Sequence, residues 1–105
     1  MSMMNIRQGT TPYHRFEIPV EEVVIEKVRI TYAQEDNVIL TKENEECTIN
    51  GNIVETHLTQ EDTLLFDERK KAQVQVHIVT DRGEALTSDI LYIACWILLG
   101  KQVLK

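Results

Sequence analysis

The sequence predicts an all-β chain: a single antiparallel sandwich of about seven strands with one short helix. Three observations carry that reading. Apolar and polar residues alternate with period two along most of the chain, as strands with one buried face require. Turn residues separate the alternating runs at short, regular intervals. Only one segment, near residues 59–66, has the chemistry of a helix start. The 105 residues suffice for one domain and not for two, so 1–105 is read as one unit, with 1–9 loosely ordered.

In "YHRFEI", His14, Phe16 and Ile18 share a face, and Pro19 ends the run. In "EKVRITYAQ", Val28, Ile30 and Tyr32 lie opposite Lys27, Arg29 and Thr31. "AQEDN" is a polar turn. "NVILTKE" directs Val38 and Leu40 inward. In "ECTINGNIVETHL", Asn50-Gly51 suits a type I′ hairpin turn, whose two central residues need positive φ. Cys47 and Ile49 lead into it; Val54, Thr56 and Leu58 lead out. "HLTQEDTLLF" then breaks the pattern. Thr59 is an N-cap, and Glu61 and Asp62 suit the positive end of a helix. Asp62 forms a shortened capping box with Thr59. A helical turn over about 59–66 crosses from one sheet to the other and plugs Leu64, Leu65 or Phe66 into the core. "KAQVQVHIV" turns Val74, Val76 and Ile78 inward and Gln73, Gln75 and His77 outward. "TDRGEA" turns at Gly83. In the last strand, Ser88, Ile90, Tyr92, Ala94 and Trp96 form one face and Asp89, Leu91, Ile93, Cys95 and Ile97 the other. Short strands at this spacing indicate an immunoglobulin-like sandwich.

Composition narrows the function. Hydrophobic residues make up 43%, enough for a packed core, and the net charge is −6. An acidic surface is repelled by phosphate backbones and anionic lipids, so nucleic acid and membranes are poor partners. The N-terminus lacks the basic, apolar and small-residue order of a secretory signal, which implies a cytoplasmic chain at synthesis. Cys47 and Cys95 are read as free thiols. The apolar run Ile90–Leu99 is half the length a membrane helix needs.

The residues assemble no catalytic constellation. His14, His57 and His77 lack metal-ligand spacing, and His57 and His77 point to solvent. The carboxylates Glu43, Glu45, Glu46, Glu61 and Asp62 lack the Gly-pinned loop of a calcium site. Thr87, Ser88 and Asp89 have no paired histidine or phosphate loop. A thiol in an apolar strand stays protonated. The expectation is therefore a non-enzymatic chain with no catalytic residue, metal or cofactor. From Ile90 onward both faces of the last strand are apolar, so either the fold or another chain covers them. Ile90, Tyr92, Trp96, Ile97, Leu98 and Leu99 form the candidate interface, by sheet packing or edge addition, to a second copy or another protein. A carbohydrate- or ligand-binding module is the alternative. It needs an exposed aromatic platform, and Tyr13 is the residue placed to supply one.

Two resemblances add to this. "LTQEDTLLF" is similar to the L-T-x-E-D-T-A-x-Y corner of antibody variable domains. Phe66 stands in place of the corner tyrosine, no Cys comes two residues after it, and Trp96 lies on a different strand from the antibody tryptophan. Only the geometry of a helical crossover is kept from it. The longer resemblance is to small β-sandwich proteins of phages and prophages of Gram-positive bacteria, like the N-terminal domain of upper baseplate or tail-fibre proteins. "RQGTTPYHRFEIP" fits R-x-G-(D/T)-T-x-x-x-x-F-x-(L/I)-P. "IEKVRITYAQ", "ILTKENEECTINGN", "LTQEDTLLF" and "AQVQVHIVTDRGEALTSDI" come after it in order, so the likeness runs from Ile6 to Ile97. It implies a baseplate- or tail-associated docking module and virion association, and it transfers no active-site residue. No long fibre segment comes after the sandwich, and the last strand is unusually apolar, which suits a standalone assembly factor.

Overall fold

Alternating side chains sort this chain onto two facing sheets, in a computed structural model that describes residues 4–20 and 22–105. The strands are β1 (Asn5–Arg7), β2 (Tyr13–Glu17), β3 (Ile25–Gln34), β4 (Asn37–Glu43), β5 (Cys47–Asn50), β6 (Ile53–His57), β7 (Ala72–Thr80), β8 (Ala85–Thr87) and β9 (Leu91–Trp96). One helix, α1 (Gln60–Leu64), lies between β6 and β7. The larger sheet runs β1-β9-β7-β3-β4, with β8 also on β7; the smaller runs β2-β6-β5. An immunoglobulin sandwich sets B, E and D on one sheet and G, F and C on the other, and variable-type domains add C′ beside C. Here β2-β6-β5 takes the first pattern and β9-β7-β3-β4 the second. The fold is an immunoglobulin-like β-sandwich.

The predicted inward faces make the core. Phe16 and Ile18 from β2 and its end, Val28, Ile30 and Tyr32 from β3, and Val74, Val76 and Ile78 from β7 are all buried. His14 is buried with them and bridges the sheets. Its Nε2 lies 2.9 Å from the Asn5 carbonyl and its Nδ1 2.7 Å from the Tyr32 hydroxyl. A carbonyl only accepts, so Nε2 carries the proton and Nδ1 accepts from Tyr32. Burial lowers the His14 pKa from 6.5, against the raising effect of the Asn5 carbonyl. The ring is therefore neutral at pH 7. Tyr32 in turn meets the edge of Phe66, with centroids 5.9 Å apart.

Several expectations need correction. Residues 4–9 are held rather than loose: β1 pairs in parallel with β9, and Ile6 is buried. Gln8 is buried too; its amide donates to the Phe66 carbonyl at 2.7 Å and accepts from the Leu98 N–H at 2.9 Å. Residues 1–3 lie outside the described residues. Val38 faces outward, 63% exposed, because the β3–β4 register shifts between Tyr32↔Leu40 and Ala33↔Val38. Ile39 is the extra residue, and a bulge there reverses the facing of the strand from one side to the other. The type I′ turn falls at Glu35 and Asp36, whose φ values are 51° and 64°. At the Asn-Gly turn the central residues are Gly51 and Asn52, since Asn50 pairs with Ile53. Gly51 alone there has positive φ, 63°, as a type II′ turn needs. The last strand is broken. β8 pairs with the end of β7 and β9 with its start, and the register slips by one residue between them. Ser88 fills the break: its hydroxyl accepts the Val76 N–H at 2.9 Å.

The helical crossover is shorter than its predicted span but is capped as predicted. The Thr59 hydroxyl accepts the Asp62 N–H at 3.1 Å, and the Thr59 N–H donates to the Asp62 carboxylate at 2.9 Å. Phe66 is the plug; Leu65 is 57% exposed. Asp62 also meets the buried Lys42 ammonium at 2.8 Å. Burial pushes the Asp62 carboxyl up, but the bonds from Lys42 and Thr59 outweigh it and hold its pKa below 3.8. Two devices thus meet at one carboxylate, the cap and a largely buried ion pair. Thr59→Ala removes only the cap and should cost about 1 kcal/mol. Asp62→Ala also leaves the buried ammonium with only the longer contact to Glu46, at 3.5 Å, and should cost about 2–3 kcal/mol. Urea denaturation of both variants checks this; equal losses would dismiss the role of the pair.

Candidate functional site

β9 offers its two faces unequally. Ile93 and Cys95 turn inward and are buried, while Tyr92, Ala94 and Trp96 turn away from the second sheet. The chain thus covers one of the two apolar faces predicted for this strand and leaves the other open. Tyr92 is 63% exposed and Trp96 49%, so Trp96 is a surface residue and not part of the core. Arg7, opposite Trp96 in the β1–β9 register, lies over its ring at 5.4 Å from the centroid. That cation–π contact helps fix the position of the indole on the outer face.

The patch extends beyond the strand. Ile90 precedes β9 and rims a shallow recess with Thr31, Ala33, Gln73 and Gln75 of β3 and β7. Two polar residues of this face are engaged within the chain. Gln73 exchanges hydrogen bonds with Asp36, donating to its carboxylate at 2.9 Å and accepting its N–H at 2.8 Å. Gln75 donates to the Ser88 carbonyl at 3.0 Å. With their amides occupied, they offer less to water, and the aromatic and aliphatic groups beside them set the character of the face. Ile97 and Leu99 continue the apolar run past the end of the strand and are exposed.

Leu98 departs from the predicted interface. It is half-buried and packs on Gly9, where a Cβ would come within 2.4 Å of its side chain. Gly9 also has φ of 79°, so both the contact and the backbone require glycine there. The sequence places Leu98 among its apolar neighbours; only the path of residues 8–9 beneath it turns it inward.

The other residues weighed as sites are dispersed. His57 and His77 are exposed, as predicted, whereas His14 is locked in the core. Among the described residues no group of three His, Cys, Asp or Glu side chains is placed to hold a metal ion. Cys47 and Cys95 are free and stand on different sheets. Burial raises both thiol pKa values, so both remain protonated at neutral pH. Tyr13 is 64% exposed and stacks on His57, with centroids 4.2 Å apart and planes within 5°. Glu45, Glu46 and Glu55 stand around that pair.

No family model matches this chain, and no curated protein does. Among solved structures, the V domain of amphioxus IgVJ-C2 is similar at 13% identity and a TM-score of 0.33. The match covers 87% of this chain and 97% of that one. Nothing about partners or activity comes from it. Among the described residues, no helix is long and apolar enough to cross a membrane.

Proposed function

We propose that this chain is a non-enzymatic docking module of a Gram-positive phage or prophage, associated with the baseplate or tail, that works by protein–protein contact. The observation that carries the contact reading is the open outer face of β9, with Tyr92 and Trp96 exposed beside Ile90 and Ala94. An exposed Trp and Tyr on a strand paired on both edges have the composition of an interaction hot spot. Ile97 and Leu99 widen the face. The phage assignment is supported by the resemblance from Ile6 to Ile97, which is to docking modules.

The test is binding, by calorimetry, to purified tail and baseplate proteins encoded beside this gene. Wild type should bind at least one of them, and Trp96→Asp should weaken that binding by about tenfold or more. Binding that ignores Trp96→Asp would overturn the assignment of the surface. Absence of such neighbouring genes, or of any binding, would overturn the docking role.

A second reading, a carbohydrate-binding module, is favoured by one observation. The Tyr13–His57 stack is an exposed aromatic platform ringed by hydrogen-bonding carboxylates. It predicts glycan-array signals that vanish in Tyr13→Ala; an array without signals dismisses it.

A further inference from the structure

The smaller sheet ends on β2, and among the described residues no strand pairs with its outer edge. The inner ladder fixes which backbone groups point out. The Leu58 N–H donates to the Pro12 carbonyl at 2.9 Å and the Ile18 N–H to the Asn52 carbonyl at 2.7 Å. Alternation along an antiparallel strand then gives His14 and Phe16 to β6. Arg15 and Glu17 direct their N–H and C=O groups to the free edge. Their side chains are exposed, and neither residue enters an ion pair among the described residues. An unpaired edge of this kind is a template for another strand.

We propose that β2 pairs antiparallel with β2 of a second copy, about a two-fold axis at Phe16. Centred there, Arg15 stands opposite Glu17 of the second copy, and Glu17 opposite its Arg15. The two residues are two positions apart on one face, so a single strand carries both halves of the contact. That self-complementarity is what a closed, isologous dimer requires. The charges also select the register. Centring the pair on Arg15 or on Glu17 sets like charges face to face, which disfavours both alternatives. Pro19 limits the pairing at one end, because on this parity its missing N–H is on the free edge.

Packing behind the edge favours the same arrangement. A cleft of about 570 Å³ opens between the sheets beside β2, lined by Met4, Phe16, Ile18, Leu86 and Leu91 among others. Leu86 and Leu91 are 39% and 40% exposed. Arg15 and Glu17 line the same cleft, so pairing at this edge brings the clefts of both copies to the seam. The dimer leaves the outer face of β9 uncovered, so the inference goes beyond the docking role proposed above.

Sedimentation over a range of concentrations tests it, with circular dichroism to verify that each variant is folded. Wild type and Trp96→Asp should dimerise alike. Arg15→Glu and Glu17→Arg should each weaken the dimer by about tenfold or more, since each turns the symmetric attractions into repulsions. The double variant Arg15→Glu/Glu17→Arg should regain wild-type affinity. Mixing the two single variants should give a heterodimer tighter than either homodimer. A wild type that is monomeric throughout, a dimer indifferent to the single reversals, or a double variant and a mixture that both fail to recover would overturn the proposal.

Discussion

The structure depends on one hydrogen-bonded imidazole. His14 stands on the small sheet, accepts from Tyr32 on the large sheet, and donates to Asn5 on the first strand. Antibody-type sandwiches join their sheets by a disulfide with a buried Trp packed on it. Here both cysteines are free, and the bridge is a neutral histidine bonded to Tyr32, which packs edge-on against Phe66. Such a bond contributes about 1 kcal/mol when made, but a buried partner left unmade costs about 1–3 kcal/mol. Its value lies in what it excludes. With Nε2 given to a carbonyl and Nδ1 to a hydroxyl, only one tautomer and one register of β1 satisfy the buried groups.

The same economy of polar groups runs outward to the surfaces. Gln8 ties β1 to the end of the helical crossover and to Leu98, and Gln73 and Gln75 are held by Asp36 and Ser88. No buried side-chain nitrogen or oxygen among the described residues lacks a partner. What stays unmatched is at the periphery: an aromatic face on β9 and a charged edge on β2. They lie on different sheets and suit different contacts. One is broad and apolar, as a partner protein's surface demands. The other is a backbone edge whose charges match only their own reversal.

Much of this was legible in the sequence, for a physical reason. Period-two alternation reports burial directly, so the inward faces of residues 28–32 and 74–78 and the solvent positions of His57 and His77 could be read. The Thr59 cap was legible because capping is local. Features set by pairing between distant segments were not. The bulge at Ile39 sent Val38 outward, and the one-residue slip near Ser88 broke the last strand; neither leaves a local mark. β1 is three residues long and pairs in parallel, which gives no hairpin signal. Asp62 and Lys42 meet across 20 positions of sequence. A hint was available, since Lys42 shares the parity of Leu40, and an inward lysine needs a carboxylate. The apolar face on β9 was visible as composition, but which of its two sides the chain itself covers was decided by the fold.

If a neutral His14 holds the two sheets together, a nitrogen-detected NMR titration of its ring will show it. The expected result is the Nε2–H tautomer at neutral pH and a midpoint below 6.5. Because the unfolded chain takes up this proton first, stability should then fall as the pH drops below about 6.5 and level off once the folded ring is protonated. A His14 that titrates at or above 6.5, or that carries its proton on Nδ1, would rule out this bridge between the sheets.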